Sequence, residues 1–356
     1  MECISISEFL SFSACDSTKN TYRSAFKKYL TLTLDIEISN HNLDKQWSDY
    51  INSNRDIISD IAHFPVICRR CKNTSLSPKT VNLYQQVIIL YLRECGIIPY
   101  ELYSRQIKKY RPKNCAISKE SELTHEILKQ LISSADDRLR AEILIAVSSG
   151  MRIGEILKIN LSNIDLSKRP AEFYLPSNIT KNNRSRMVFI SDEAKRATEK
   201  WLEVRMNQNC YSRIRNDSRL FPYSPSNETL RLKNLLRDIG HYEEDSHTHR
   251  STIHFHLFRK FFLTEFKLAA SIEVAEELAG HKTYLSDSYR RLSITEKRQE
   301  YLKAEPRLTV NHVFPTQNVT NHNNRFYEAY LHKLENDIER LHNEVKHLII
   351  HIQQHS

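Results

Sequence analysis

The sequence predicts a mainly helical protein with one small β-hairpin. Glycine and proline, which punctuate β-rich folds, occur only five and ten times in 356 residues, so long helices should dominate. Apolar residues recur every three or four positions in segments such as 18–34 and 78–94, which is the periodicity of amphipathic helices. The exception is 171–191, where two runs rich in β-forming residues flank a polar Lys-Asn-Asn-Arg turn. This pattern is typical of a β-hairpin.

Local signals mark the ends of several predicted helices. Ser77 is a candidate N-cap, and Pro78 occupies the first turn of the helix that follows. Thr124 similarly precedes an apolar helix, and Gly150 ends another. Further helices are predicted over 140–149, 192–207, 228–239, 256–270 and 273–279.

The chain divides into four predicted segments. At 356 residues it is long enough for two or three domains, each with its own core. The basic, proline-containing stretch at 108–120 has little periodicity and suits an extended linker. We therefore expect an N-terminal helical domain over 1–107, a second domain over 121–305, and a linker with a C-terminal helix over 306–356.

The C-terminal segment carries a heptad pattern. With Leu331 as position a, β-branched residues follow at a and leucines at d, which favours a parallel two-stranded coiled coil. Dimerisation through 327–352 is one hypothesis, and a lone amphipathic helix packed on its own domain is the alternative. The seam consists of Leu331, Leu334, Ile338, Leu341, Val345, Leu348 and Ile352.

The charge balance favours a polyanionic partner. Lys and Arg total 52 against 43 Asp and Glu, a net charge of +9 with neutral histidines, and the pI is near 9.1. Nucleic acid and an anionic membrane surface both fit this balance. No apolar run approaches the roughly 18 residues of a spanning helix, and the N-terminus lacks a signal-peptide pattern. We therefore expect a cytoplasmic protein with no membrane role.

The seven cysteines predict neither a disulfide framework nor a metal site. They form an odd, scattered set, which in a reducing compartment is more naturally interpreted as buried thiols. Cys68 and Cys71 have metal-like spacing, but one pair supplies only two of the four ligands of a structural zinc. We therefore expect no metal and no cofactor.

Five polar signals follow one another in the second predicted domain. Taken singly, each of these residues is more often a solvated surface charge or a structural histidine. The order and local contexts of the whole set favour a shared function instead. The signals are Arg152 in the segment from Gly150 to Glu155, Lys181 at the hairpin turn, the pair His256 and Arg259 at helical spacing, Gly280 with His281, and Tyr289.

In this order the residues resemble the catalytic set of the tyrosine recombinases, the integrase family of site-specific DNA recombinases. Members carry Gly-x-Arg-x-x-Glu, a lysine in a hairpin turn, His-x-x-Arg, Gly-His and a tyrosine nucleophile. The resemblance covers roughly 120–292. Two departures occur. Lys260 stands where many bacterial members have a second histidine. The interval from Gly-His to Tyr289 is one residue shorter than in most bacterial members, and this shorter spacing is more similar to that of archaeal integrases.

The resemblance implies a two-domain, C-shaped clamp on double-stranded DNA. The segment 1–107 would be the core-binding domain and 121–305 the α+β catalytic domain, with the basic linker at 108–120 running along phosphates. Recombination in this family needs several protomers, so a homo-oligomer, a tetramer on DNA, is implied. The protein would then be associated with the nucleoid when it binds DNA.

The implied chemistry is direct attack on a DNA phosphodiester through a 3′-phosphotyrosyl intermediate, without metal or ATP. Tyr289 is the implied nucleophile, and Arg152 and Arg259 would bind phosphate oxygens with their planar forks. A phenol has an ordinary pKa near 10, so its proton must be removed during the attack. Tyr284 and Tyr301 are the alternative nucleophiles, and Tyr284 lies too close after Gly-His to match the family.

The remaining residues of the set would support this attack. His256 is the candidate base for the phenol proton, and His254 is the alternative, which lacks an arginine three residues on. Lys181 would act as general acid to the departing 5′-oxygen. The other implied roles are hydrogen bonding of the phosphate by His281 and orientation of Arg152 or His256 by Glu155.

Basic residues near this set are candidate DNA contacts, because phosphate contacts supply much of the affinity for DNA. The function implied is integration or excision of a viral or plasmid element. The alternatives are a Xer-like chromosome or plasmid dimer resolvase and a catalytically silent DNA-binding protein, such as a remnant integrase. The candidate DNA contacts are Lys108, Lys109, Arg111, Lys113, Arg184, Arg186, Lys260 and Lys282.

Overall fold

The fold is that of a computed structural model, and its described residues form two compact units. These are drawn from Met1–Glu120 with Glu243–Thr252 and from Ser121–Tyr242 with Ile253–Ser356. The structure describes residues 4–13, 15–71, 76–98, 110–113, 121–207, 212–246, 250–281 and 292–311.

Five described helices of the first unit surround an aromatic core. Phe26, Tyr29, Trp47 and Tyr91 are buried, and their rings meet edge to face with centroids 4.9 to 5.9 Å apart. The helices are α1 (Ile6–Ser11), α2 (Asp16–Leu34), α3 (Leu43–Ile51), α4 (Ile57–Arg70) and α5 (Pro78–Glu94).

Helix α5 begins and ends where the sequence predicts. The Ser77 hydroxyl accepts a hydrogen bond from the Thr80 backbone N–H at 3.1 Å, and Pro78 needs no partner in the first turn because it has no N–H. The predicted bounds 78–94 are confirmed. Helix α2 also confirms the prediction over 18–34 and begins two residues earlier, at Asp16.

The second unit is built around one buried helix, α7. Ten of its thirteen residues are buried, because α9 and α12 pack against it on two sides. All predicted helices of this unit are confirmed to within a few residues at each end. The described helices are α6 (His125–Ser134), α7 (Asp137–Ser149), α8 (Ile153–Ile156), α9 (Asp192–Met206), α10 (Ser212–Arg215), α11 (Pro225–Asp238), α12 (Phe255–Ala269), α13 (Ile272–Ala279) and α14 (Ile294–Leu308).

The predicted hairpin is confirmed and belongs to a three-stranded antiparallel sheet. Strand β2 (Ala171–Leu175) pairs with β3 (Arg186–Ile190), with Ala171 opposite Ile190 and Leu175 opposite Arg186. The short strand β1 (Ile164–Asp165), which was not predicted, pairs with the other edge of β2. The loop over 176–185, which contains Lys181, therefore projects from the end of the sheet at which β3 begins.

The second unit continues past the boundary predicted at 305. Helix α14 runs to Leu308, and Val310 is fully buried. The buried Glu193 carboxylate then accepts the backbone N–H groups of Val310 and Asn311 at 2.7 and 3.1 Å. The predicted coiled-coil segment, 327–352, lies outside the described residues.

Neither a membrane-spanning helix nor a metal-binding cluster occurs among the residues that the structure describes. Among the helices that the structure describes, none has both the length and the apolar character needed to cross a membrane. Within the same described ranges, no group of three or more His, Cys, Asp and Glu side chains is arranged to hold a metal ion.

Candidate DNA-cleavage site

Arg152 lies at the junction between α7 and α8. Gly150 ends α7 in the left-handed conformation, with φ of +66°, and a Cβ at this position would overlap the Phe262 ring. The chain therefore turns closely against α12 before Arg152 becomes the N-cap of the short helix α8. The Arg152 side chain is 26% exposed, so its guanidinium can reach a ligand at the surface.

The Glu155 carboxylate is the buried centre of the cluster. It accepts the Arg152 backbone N–H at 2.9 Å and the Arg152 Nη1 at 3.1 Å, and it forms an ion pair with Arg186. Burial alone would raise the pKa of Glu155, but the hydrogen bonds and charges of Arg186 and Arg152 outweigh burial and lower the pKa. Glu155 is therefore a carboxylate at neutral pH and holds Arg152 in place.

Arg186 connects Glu155 to the end of α13. Its Nη2 and Nη1 donate to the two Glu155 oxygens at 2.7 and 3.3 Å, and its Nε donates to the Leu278 carbonyl oxygen at 2.9 Å. Its side chain is only 11% exposed. Arg186 is predicted from the sequence to contact DNA, and in the described structure its guanidinium donates to acceptors within the protein.

Arg259 is a buried guanidinium with spare donors. Its Nη1 donates to the Gly150 carbonyl oxygen at 2.6 Å, while Nε and Nη2 have no acceptor among the residues that the structure describes. Burial, followed by the charge of Arg152, lowers the pKa of Arg259 to about 10. At neutral pH the group still carries its charge, and an arriving phosphate oxygen would satisfy the unpartnered donors.

The loop that contains Lys181 lies against the turn that contains His281. Lys181 is exposed, and the neighbouring Asn182 donates from Nδ2 to the Gly280 carbonyl oxygen at 3.1 Å. At the base of the loop, the Arg184 backbone N–H donates to the Thr180 hydroxyl oxygen at 3.1 Å. The loop is therefore tied both to itself and to the end of α13.

His281 is held by an acid that the sequence pattern did not indicate. Its Nδ1 contacts the Glu276 carboxylate, which also pairs with Lys267 on α12. Burial would raise the pKa of Glu276, but Lys267 and His281 lower it overall. Glu276 comes five residues before His281, across the turn at Gly280, so helical spacing alone could not link the two side chains.

His256 and Lys260 both lie on the exposed face of α12, one turn apart. Arg259 on the same helix points into the interior. His254 is the N-cap of α12, and its ring centroid lies 6.4 Å from that of His256. The i,i+3 relationship between His256 and Arg259 therefore places one group at the surface and the other beneath it.

Tyr301, one of the alternative nucleophiles, lies in the core of the second unit. Tyr301 on α14 is fully buried, and its hydroxyl donates to the Ser148 carbonyl oxygen at 2.9 Å. Burial raises the pKa of Tyr301 well above its usual value, so this phenol can neither reach DNA nor ionise readily. Tyr289, together with the alternative Tyr284, lies outside the described residues.

The candidate DNA contacts have different surroundings. Arg111 is half-buried in the first unit, where its Nε donates to the Gln85 Oε1 at 2.9 Å. The Pro112 carbonyl oxygen accepts from Asn82 at 3.0 Å, so this part of the predicted linker packs on α5. The exposed candidates among the described residues are Lys113, Arg184 and Lys260, while Lys108, Lys109 and Lys282 lie outside the described residues.

Three guanidinium groups thus lie around one internal carboxylate. Arg152, Arg186 and Arg259 are close enough for their charges to affect one another, and Glu155 neutralises only part of their charge. Arg259 offers two buried donors without an acceptor in the described structure, and Arg152 offers a partly exposed guanidinium held in place by Glu155. Donors fixed in this way stabilise an anion better than donors free in solution. The arrangement is that of a site for an oxyanion such as a phosphodiester.

Comparison with known families agrees with this geometry. Residues 121–288 match the sequence profile of the phage integrase family. Residues 121–288 therefore form a domain of the phage integrase family. The matched range covers the Arg152, Lys181, His256, Arg259 and His281 positions and ends just before Tyr289.

Curated relatives carry the same family name. The chain is 25% identical over 209 residues to tyrosine recombinase XerC of Histophilus somni, covering 56% of this chain and 63% of that one. It is 25% identical over 190 residues to XerA of Saccharolobus solfataricus (52% and 57%), and 30% identical over 161 residues to XerD of Rickettsia bellii (44% and 52%). The chain thus spans less than two thirds of the length of these relatives.

Solved structures show the same fold. The Tn1549 transposon integrase in complex with transposon right end DNA aligns with a TM-score of 0.55 at 13% identity, covering 83% of this chain and 98% of that chain. A lambda integrase dimer bound to a COC′ core site aligns with a TM-score of 0.50 at 16% identity, covering 76% and 98%.

Proposed function

We propose that the chain is a site-specific DNA recombinase that cuts and rejoins strands through a 3′-phosphotyrosyl link. The observation that carries the proposal is Arg259, a buried cation with two donors that lack an acceptor in the described structure, beside the partly exposed Arg152. A buried donor without an acceptor is costly unless a ligand completes it. The phosphodiester of DNA supplies both the oxygens and the negative charge.

In this proposal the cluster acts on the scissile phosphate. Arg152 and Arg259 would bind its non-bridging oxygens and stabilise the charge that develops on them during the attack. The Tyr289 oxygen would form a bond to phosphorus as the bond from phosphorus to the 5′-oxygen breaks. The phenol proton would pass to His256, and Lys181 would protonate the departing 5′-oxygen.

The biological role that we propose is integration or excision of a mobile element. The structural neighbours named above are a transposon integrase and a lambda integrase. The curated relatives are Xer recombinases, and dimer resolution is therefore the second candidate. Sequencing the DNA attached to the protein in its host would distinguish them. Ends of a mobile element support integration, and a single chromosomal or plasmid site supports resolution.

We also propose that two protein units enclose the duplex and that several protomers assemble on it. The net charge of +9 supports DNA binding, and the heptad pattern over 327–352 supports a self-association helix. The lambda integrase neighbour is a dimer on its core site.

The nucleophile is tested with a nicked DNA substrate that traps the covalent complex. Tyr289→Phe should bind the DNA normally and yield no covalent complex, because the phenylalanine ring has no attacking oxygen. Tyr284→Phe, a matched change five residues earlier, should still form the complex. Gel mobility after denaturation measures the covalent yield.

Two results would contradict the proposal. A covalent complex formed by Tyr289→Phe would show that another group attacks the phosphate. A wild-type chain that binds its DNA site and never becomes attached would instead support the catalytically silent DNA-binding protein.

A further inference from the structure

Arg186 is the residue of the site whose contacts lie entirely within the protein in the described structure. Three of its nitrogens donate to protein acceptors, two to Glu155 and one to the Leu278 carbonyl oxygen, at 2.7 to 3.3 Å. The planar fork of a guanidinium matches the two oxygens of a carboxylate, and a lysine could not make the same set of bonds. Arg186 is therefore oriented at both ends, by Glu155 and by α13.

The two partners of Arg186 each lie next to a residue of the cleavage site. Glu155 holds the Arg152 backbone and guanidinium, and Leu278 comes three residues before His281. The chain also approaches Arg186 closely at Gly280, where an added Cβ would lie 2.9 Å from the guanidinium carbon. The position of Arg186 therefore fixes the distance between the α8 start and the α13 end.

We propose that Arg186 is a positioning residue for strand cleavage, which acts through Glu155 and the Gly280–His281 turn and does not itself contact DNA. The inference rests on the proposed recombinase function. It differs from the expectation that Arg186 is one of several phosphate contacts. A misplacement of about 1 Å in a catalytic group can reduce a rate about 100-fold, so loss of this link should affect the chemical step more than DNA binding.

The first experiment separates the chemical step from binding. Arg186→Gln should reduce the single-turnover rate of covalent complex formation by about 100-fold at saturating DNA, with DNA affinity within about threefold of wild type. Arg186→Lys keeps the charge and loses the planar fork, so its cleavage rate should lie between those of wild type and Arg186→Gln. This variant provides the test if Arg186→Gln does not fold. The slope of log affinity against log salt should stay unchanged, because no phosphate contact is lost.

The matched control is Arg169→Gln. Arg169 also pairs with a buried glutamate, Glu305, at 2.6 Å, and it lies beyond the opposite end of the β2–β3 ladder, where Ala171 pairs with Ile190. This change should lower the unfolding temperature, by less than Arg186→Gln does because the Arg169 side chain is 53% exposed, and leave the cleavage rate unchanged. A common loss of rate in both variants would mean that Arg186 has only a structural role.

The route through Glu155 is tested by a double-mutant cycle and a pH profile. If Arg186 acts through Glu155, the double variant Glu155→Gln with Arg186→Gln should be no slower than the slower single variant. Arg186 lowers the pKa of Glu155, so in Arg186→Gln the rate should begin to fall at a higher pH on acidification. The contribution of residue 155 to that limb should be absent in the double variant, where glutamine replaces the Glu155 carboxylate.

Different results would contradict the positioning role of Arg186 and the proposed recombinase function. A wild-type chain that forms no covalent complex would reject both. If the wild type cleaves and Arg186→Gln cleaves at the same rate, only the positioning role is rejected. A weaker affinity with a salt slope smaller by about one, at unchanged saturated rate, would assign Arg186 to a phosphate contact.

Discussion

The buried position of Arg259 has two opposite effects on its guanidinium. Burial makes the cation less favourable and lowers its pKa to about 10, yet the buried position removes competing water from the donors. The Gly150 carbonyl oxygen is the acceptor that the protein supplies in the described structure. The side chain is therefore aligned by one bond while two donors stay available to a substrate.

Arg259→Lys should separate charge from geometry at this residue. The ammonium keeps the charge but cannot both bond Gly150 and present two parallel donors, so cleavage should fall by about 100- to 1000-fold, the range for loss of one transition-state donor. Single-turnover cleavage at saturating DNA measures the effect. A rate within threefold of wild type would exclude Arg259 from the phosphate site.

At the scale of helices, α7 and α11 share a buried pair of acids. Glu142 on α7 and Glu228 on α11 are both fully buried, and Arg138 lies 3.3 Å from Glu228 while Arg231 lies 3.5 Å from it. Burial, followed by the charge of Glu228, raises the pKa of Glu142 well above its usual value, and the pKa of Glu228 is also raised. The core therefore favours a protonated Glu142 beside the paired Glu228.

The sign of the resulting pH dependence follows from these raised pKa values. Protonated Glu142 and Glu228 stabilise the folded state fully below the pKa of an unfolded glutamate. This contribution to the free energy of unfolding is lost as the pH rises through the higher pKa of the folded state. Glu142→Gln, which mimics the protonated acid, should raise the unfolding temperature at pH 8 and change it little at pH 4.5. Thermal unfolding at both pH values measures the difference. A destabilised variant at pH 8 would show that Glu142 is a carboxylate in the core.

Local signals predicted helix ends well, and long-range contacts were harder to predict. Ser77 and Gly150 mark helix ends by their own hydrogen bonding and backbone preference, so their effect can be inferred from neighbouring residues. The two-residue strand β1 depends on pairing with β2, and the internal role of Arg186 depends on α13, about ninety residues later in the chain. The candidate site residues could be proposed from the sequence because each lies in a short pattern with a known chemistry.

At the scale of the whole chain, the contacts at residues 310 and 311 show where the chain can be truncated to test self-association. Glu193 anchors Val310 and Asn311, so a chain ending at 305 would lose part of this unit along with the heptad segment. A variant ending at Asn311 should keep the unfolding temperature of the second unit and lose dimerisation, because the seam over 327–352 is removed. Sedimentation measures the oligomeric state, and an unchanged state would refute the coiled coil.

The bond from Asn182 to the Gly280 carbonyl oxygen has a consequence for the timing of strand scission. Because the lysine loop and the histidine turn share this bond, a displacement that withdraws one group also pulls on the other. In the proposed mechanism, Lys181 and His281 would thus approach or leave the phosphate together.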